Sequence, residues 1–321
     1  MDYSKKEAKA YARKHMSGLW SASPYPFRQD QEIDEKGLVS DLNYCIETLG
    51  VDGFYMGGIM NEFWTLTVEE RKRAQELLIR EAKGKVFTIT MTGHTSIKTT
   101  IELTKHAEQV GADFAAIMNP YYATRTPETI YSYYRAIASE VDIGIMILNS
   151  PTAGYILTPQ QVAKLAEIDN ICAVKNDNAS EHTNEIRRLC GDKIVVSDPN
   201  EDNWLINRSF HKQQVFMSAA PHLLQWANHR PIVEYTKAAD AGDLETAKKI
   251  SATLTPLRAI ARKWIWAPWA LGTPPLARLK YWQKLLGMAG GHVRAPLLEI
   301  SDAEKNELRG ELEMAGVPVR A

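Results

Sequence analysis

Eight short apolar runs recur along the chain at a spacing of roughly thirty residues, the length of a strand-plus-helix repeat. They cover residues 18–22, 53–57, 86–91, 114–118, 143–148, 171–175, 194–197 and 214–218. None alternates strictly between apolar and polar, so each reads as a strand covered on both faces, as in a parallel sheet. Helix signals fall between them. Thr67 is followed by Glu70 in a capping-box spacing, and Thr126-Pro127 and Thr158-Pro159 each set proline behind a threonine cap. Residues 99–109 keep an apolar face and end near Gly111. Eight strands alternating with helices predict an α/β fold, a (β/α)8 TIM barrel. An open doubly wound sheet usually places a glycine-rich phosphate loop after its first strand, and this chain has none there. The chain runs on to residue 321, too far past the eighth run for one closing helix, and 242–250 and 278–286 are helical in pattern. The expected organisation is a barrel with a helical lead-in over 1–222 and a C-terminal helical extension over 223–321.

A net charge of -1 gives no general attraction to nucleic acid or to an anionic membrane surface. No apolar run reaches the length of a membrane span. Cys45, Cys172 and Cys190 are sparse and odd in number, which reads as reduced thiols in a cytoplasmic protein. Neither they nor the histidines show metal-ligand spacing, so no metal is expected.

Lys175 ends the sixth run. A lysine there carries its amine at the carboxyl end of a barrel strand, where this fold places its chemistry. Partial desolvation lowers the pKa of such an amine and makes it a nucleophile towards carbonyl carbon.

Several motifs stand around it in order. They are Tyr25-Pro26-Phe27 after the first run, Gly58-Ile59-Met60-Asn61-Glu62 after the second, and Asn119-Pro120-Tyr121-Tyr122 after the fourth. Asn149-Ser150-Pro151 follows the fifth, Val174-Lys175 ends the sixth, and Arg294-Ala295-Pro296-Leu297 lies near the end. In this order and spacing, from about Gly18 to about Gly316, the chain resembles the dihydrodipicolinate synthase / N-acetylneuraminate lyase family of pyruvate-dependent class I aldolases. The resemblance implies that Lys175 forms an imine with pyruvate or a longer 2-oxo acid, with no other cofactor. It implies that backbone N–H groups of the Gly58, Ile59, Met60, Asn61 loop cradle the carboxylate. It also implies a homotetramer, and it puts Glu62 in a structural role, fixing that loop.

The chain departs from the family where protons are moved. The family's tyrosine before Asn-x-Pro is Leu148, and the loop threonines of Gly-Thr-Thr-Gly-Glu are Ile59 and Met60. Leucine cannot carry a proton. The residues left for acid–base work are Tyr121 and Tyr122, with Tyr155, Asp177 and Asp198 as further candidates and His94 behind them. Asn149 and Ser218 complete the expected substrate contacts, with Leu148 as an apolar wall. Ile59, Met60, Phe63, Trp64 and Leu148 favour an apolar or aromatic aldehyde as second substrate. Three readings follow. The first is a Schiff-base lyase, an aldolase or hydratase-aldolase. The second is a dehydratase, deaminase or decarboxylase of a 2-oxo acid using the same lysine. The third is a barrel that binds a 2-oxo acid or a protein partner without turnover.

Overall fold

The structure, a computed structural model, describes residues 2–122 and 125–320. Its eight strands are β1 (Gly18–Ser21), β2 (Gly53–Met56), β3 (Phe87–Met91), β4 (Phe114–Met118), β5 (Gly144–Asn149), β6 (Ile171–Asn176), β7 (Val195–Ser197) and β8 (Val215–Ser218). Each falls on one of the apolar runs. They form one sheet in the order β7-β6-β5-β4-β3-β2-β1-β8, parallel from β2 through β7, and with the surrounding helices they make the expected (β/α)8 barrel.

The chain divides into two compact units. The first comprises residues 1–20, 52–57 and 68–218 and holds the strands. Its helices are Ala8–His15, Val68–Ala82, Ile97–Val110, Pro127–Glu140, Pro159–Leu165, Ser180–Cys190 and Glu201–Ser209. The two threonine–proline caps read from sequence are in place. Thr126 and Thr158 accept hydrogen bonds from the N–H groups of Thr129 and Gln161, each with proline at the first helical position. Gly111 closes its helix at φ 89°, a left-handed conformation that glycine adopts without steric cost.

The barrel's amino end is filled by aromatic side chains. Trp20 lies across Gly53, where any Cβ would collide with its ring, and packs 6.3 Å from Phe114. Tyr3 and Tyr11 of the lead-in stack on each other and approach Phe114, and the Tyr3 hydroxyl accepts from Gly144 N–H and donates to the Asp113 carbonyl. At the two ends of the strand order, side chains link β7 to β8. The buried Gln213 amide accepts from Asp198 N–H and donates to the carbonyls of Asp198 and Val215, while Ser197 Oγ donates to the Val215 carbonyl. Among the described residues Gln213 and Ser197 supply the hydrogen bonds that join these two strands.

The second unit gathers 21–51, 58–67 and 219–321. Its longer helices are Glu35–Asn43, Pro231–Asp240, Leu244–Ala252, Leu276–Leu285 and Asp302–Met314. A buried ionic cluster organises it. Lys280 Nζ contacts Glu62 Oε1 and the His292 carbonyl, both at 2.5 Å, and Arg294 N–H donates to Glu62 Oε2. Lys280 and Arg294 also sit over the Phe27 ring at 4.3 and 4.5 Å. Of the tail tryptophans, Trp264 is buried and donates to Glu311, whereas Trp266 is exposed. No described helix is long and apolar enough to cross a membrane.

Candidate active site

Period-two geometry decides what faces the barrel lumen. Lys175 is the register partner of Leu148 on one side and of Ser197 on the other. Leu148 pairs with Met118, and Met91 pairs with Ala116 one layer nearer the amino end. In a parallel ladder, register partners project from the same face. The lumen around the lysine is therefore built from Leu148, Met118 and Ser197, with Met91, Met146 and Ala173 below. Leu148 is 1% exposed and offers only methyl groups at the place where the family carries a phenol.

Lys175 keeps some exposure as a side chain, yet burial lowers the pKa of its amine. The negative charges of Asp177 and Asp198 pull in the opposite direction without overcoming it. A fraction of the amine is accordingly unprotonated at a pH where an exposed lysine is fully charged.

The neighbours at positions 149 and 176 point away from the lumen and tie strands to helices. Asn149 Oδ1 accepts from Asn119 Nδ2 and Leu157 N–H, while its Nδ2 donates to Asn176 Oδ1 and the Leu157 carbonyl. Asn176 in turn donates to Thr183, and Tyr134 donates to Asn119. All of the hydrogen-bonding capacity of the Asn149 side chain is thus engaged in scaffold, so it has none left for a substrate. The sequence expectation that Asn149 touches substrate meets that obstacle.

The acid–base candidates separate. Asp177 is exposed, and its carboxylate accepts from Ser150 Oγ at 3.2 Å. Asp198 is buried, accepting from Asn200 N–H and from the side-chain amides of Asn203 and Asn207. It anchors the start of the following helix. The Tyr155 hydroxyl donates to the Pro120 carbonyl at 2.8 Å, and burial pushes its pKa up to about 12. Tyr121 is half-buried. Burial raises its pKa, against the opposing effects of the nearby Arg71 cation and of hydrogen bonds with Thr95. Tyr122 is 78% exposed. His94 Nδ1 accepts from Ser96 N–H within its own loop. Ser218 closes β8 and is buried.

The loop after β2 belongs to the second unit. Gly58–Glu62 forms a tight turn in which Asn61 Oδ1 takes the Gly58 N–H and Asn61 Nδ2 donates to the Ser23 carbonyl. The asparagine that stands for the family's glycine is therefore a staple. The N–H groups of Asn61 and Glu62 close the turn on Gly58 and Ile59, and among the described residues those of Ile59 and Met60 take no such bond. Glu62, at φ 55°, is fixed by Lys280 and the Arg294 N–H. Phe63 is buried and Trp64 exposed.

One residue that sequence reasoning passed over stands beside the lysine. Tyr55 of β2 is 4% exposed, and Lys175 Nζ lies 5.9 Å from its ring centroid. Its hydroxyl donates to Met91 Sδ at 3.5 Å. The signal was present as a phenol inside an otherwise apolar strand, but only the register shows which way it faces.

Among the described residues no cluster of histidine, cysteine, aspartate or glutamate could hold a metal ion.

Comparison with known proteins places this geometry. A model of the dihydrodipicolinate synthetase family matches residues 15–315. The 4-hydroxy-tetrahydrodipicolinate synthase of Pelobacter propionicus is 30% identical over 294 residues, covering 91% of this chain and 96% of the relative. The crystal structure of dihydrodipicolinate synthase from Aquifex aeolicus superposes with a TM-score of 0.82 at 28% identity, covering 95% of this chain and 100% of that one. A prophage protein of E. coli K12, from the same family and solved in complex with pyruvate, gives 0.81 at 26% identity, covering 94% and 99%. Such relatives are lyases of class I aldolase type, and so is this enzyme, which sets aside a barrel without turnover. The chain belongs to the dihydrodipicolinate synthetase family.

Proposed function

We propose that the enzyme forms a Schiff base between Lys175 and the ketone of pyruvate or a longer 2-oxo acid, and makes or breaks a bond at the adjacent carbon. The observation that carries this is the lysine amine, set among apolar lumen side chains at the carboxyl end of β6 with its pKa lowered by burial. Attack by the neutral amine and loss of water give a protonated imine, which draws electrons from the neighbouring carbon. By the family resemblance, the substrate carboxylate falls to the N–H groups of Ile59 and Met60. Leu148 and its methionine neighbours favour an apolar or aromatic aldehyde as the second substrate. The reading includes assembly as a homotetramer. A second reading, dehydration, deamination or decarboxylation of a 2-oxo acid, is favoured by Leu148, which fits a reaction served by a different base.

The test is intact-protein mass after incubation with pyruvate and borohydride, with Lys175→Ala as control. A stable adduct that maps to Lys175 is expected. No adduct with pyruvate or with any longer 2-oxo acid refutes the imine, and an adduct that survives in Lys175→Ala moves it elsewhere.

A further inference from the structure

We propose that Tyr55 is the proton-transfer residue of this enzyme, doing from β2 what the family's tyrosine at position 148 would do from β5. The inference rests on the Schiff-base reading above and adds the missing acid–base group.

Three observations support it. Tyr55 pairs in register with Ile89, so it projects into the lumen from a strand on the opposite side from β6. Its hydroxyl donates to Met91, which lies one lumen layer beyond Ile89 towards the carboxyl end, so the phenol leans towards the level of the lysine. Its ring lies 5.9 Å from Lys175 Nζ. Three of the other candidates are less well placed. Tyr155 donates to a backbone carbonyl, Asp198 is held by three donors, and Tyr122 is exposed.

The chemistry closes on this pair. The neutral amine adds to the ketone to give a carbinolamine. The Tyr55 hydroxyl gives its proton to the carbinolamine oxygen, the C–O bond breaks, and water leaves as the nitrogen lone pair forms the protonated imine. The cation now facing the ring stabilises the phenolate left behind. That phenolate takes a proton from the carbon next to the imine. The C–H electrons form the enamine double bond, the imine π electrons return to nitrogen, and the phenol is restored. A thioether takes a proton poorly, so the Met91 contact does not compete for it.

The test is deuterium exchange at the pyruvate methyl group, followed by NMR, in parallel with borohydride trapping on the same samples. Once imine formation, itself slowed, has reached equilibrium, Tyr55→Phe is expected to show the Lys175 adduct while exchange is slower by about 10²- to 10⁴-fold, the usual size of a general acid–base contribution. A trapped adduct with undiminished exchange overturns the assignment and leaves the imine intact. Loss of exchange in Asp177→Asn but not in Tyr55→Phe gives the role to the carboxylate. Absence of an adduct in the unaltered enzyme overturns the imine itself. Should Tyr55→Phe not fold, 3-fluorotyrosine at position 55 supplies a more acidic phenol. The pH profile of exchange then moves to lower pH, and an unmoved profile overturns the proposal.

Discussion

Replacing Gln213 by leucine should loosen the barrel where β7 meets β8. Leucine is close to the side chain in volume, falls one bond short of it in reach, and makes none of its hydrogen bonds. The amide accepts from Asp198 N–H and donates to the Asp198 carbonyl, each at 3.0 Å, and donates to the Val215 carbonyl at 2.8 Å. It also accepts from Arg187. Val215 retains the Ser197 hydroxyl, and Arg187 retains Asn184 and Asn207. The two groups of Asp198 are left orphaned in a buried site, and an orphan of this kind costs about 1–3 kcal/mol. The expected loss is therefore about 2–6 kcal/mol, a large part of the ~5–15 kcal/mol that holds a typical domain. At about 2 °C per kcal/mol for a chain of this size, the thermal midpoint falls by about 4–12 °C. Differential scanning calorimetry measures it directly. A fall below about 1 °C would mean that the strands close by other means and that the amide is incidental.

Other outcomes follow from the charges in the site. The folded state holds Lys175 at a lowered pKa, so it binds fewer protons than the unfolded chain between the two values, and stability rises with pH through that window. Lys175→Met should raise the thermal midpoint at neutral pH, with the gain shrinking as pH approaches the ~10.4 of an unfolded lysine; a lower midpoint would contradict it. Asp177 raises the amine's pKa, so Asp177→Asn should shift the onset of borohydride trapping to lower pH, and an upward shift would reverse the electrostatic assignment. His222 is fully buried with Nδ1 2.8 Å from Ser21 Oγ, and burial pulls its pKa down to about 3. The unfolded chain protonates this ring first, so stability falls as pH drops from about 6.5 towards 3, by up to about 5 kcal/mol. Urea midpoints at pH 7 and pH 4 should differ less for His222→Gln than for the parent chain, and equal differences count against it.

The strands were legible because a parallel barrel covers both faces, which leaves unbroken apolar runs that need no knowledge of partners. The threonine–proline caps were legible because capping is local. Lys175 stood out in the sequence because it ends such a run and because the motifs around it resemble the family's in order and spacing; its role as the imine lysine is the reading proposed above. Register was not legible. Tyr55 faces Lys175 only because β2 and β6 meet across a lumen, with strand positions set by pairings that the sequence does not print. Gln213 carried no signal in the sequence because its four hydrogen bonds reach residues at positions 187, 198 and 215. The pair Glu62–Lys280 joins residues far apart in the chain, and nothing local in either segment announces it. Asn149 was read as a substrate contact because its motif suggested one, whereas the pleat turns its amide outward.

The alternation at the end of β5 separates two kinds of inheritance. Asn149 belongs to an outward amide rail joining three strands to their helices, while Leu148, the next residue back, only lines the lumen. A change at 148 leaves the rail untouched, and a change at 55 leaves it untouched as well. The lumen behaves like an interchangeable insert in a fixed frame. A reactive group can migrate from one stave of the barrel to another across the lumen in two substitutions, with the frame blind to the exchange. Libraries that randomise positions 55, 91, 118 and 148 together, and hold 119, 149 and 176 constant, should therefore yield folded barrels of altered reactivity far more often than libraries spread evenly along the same strands.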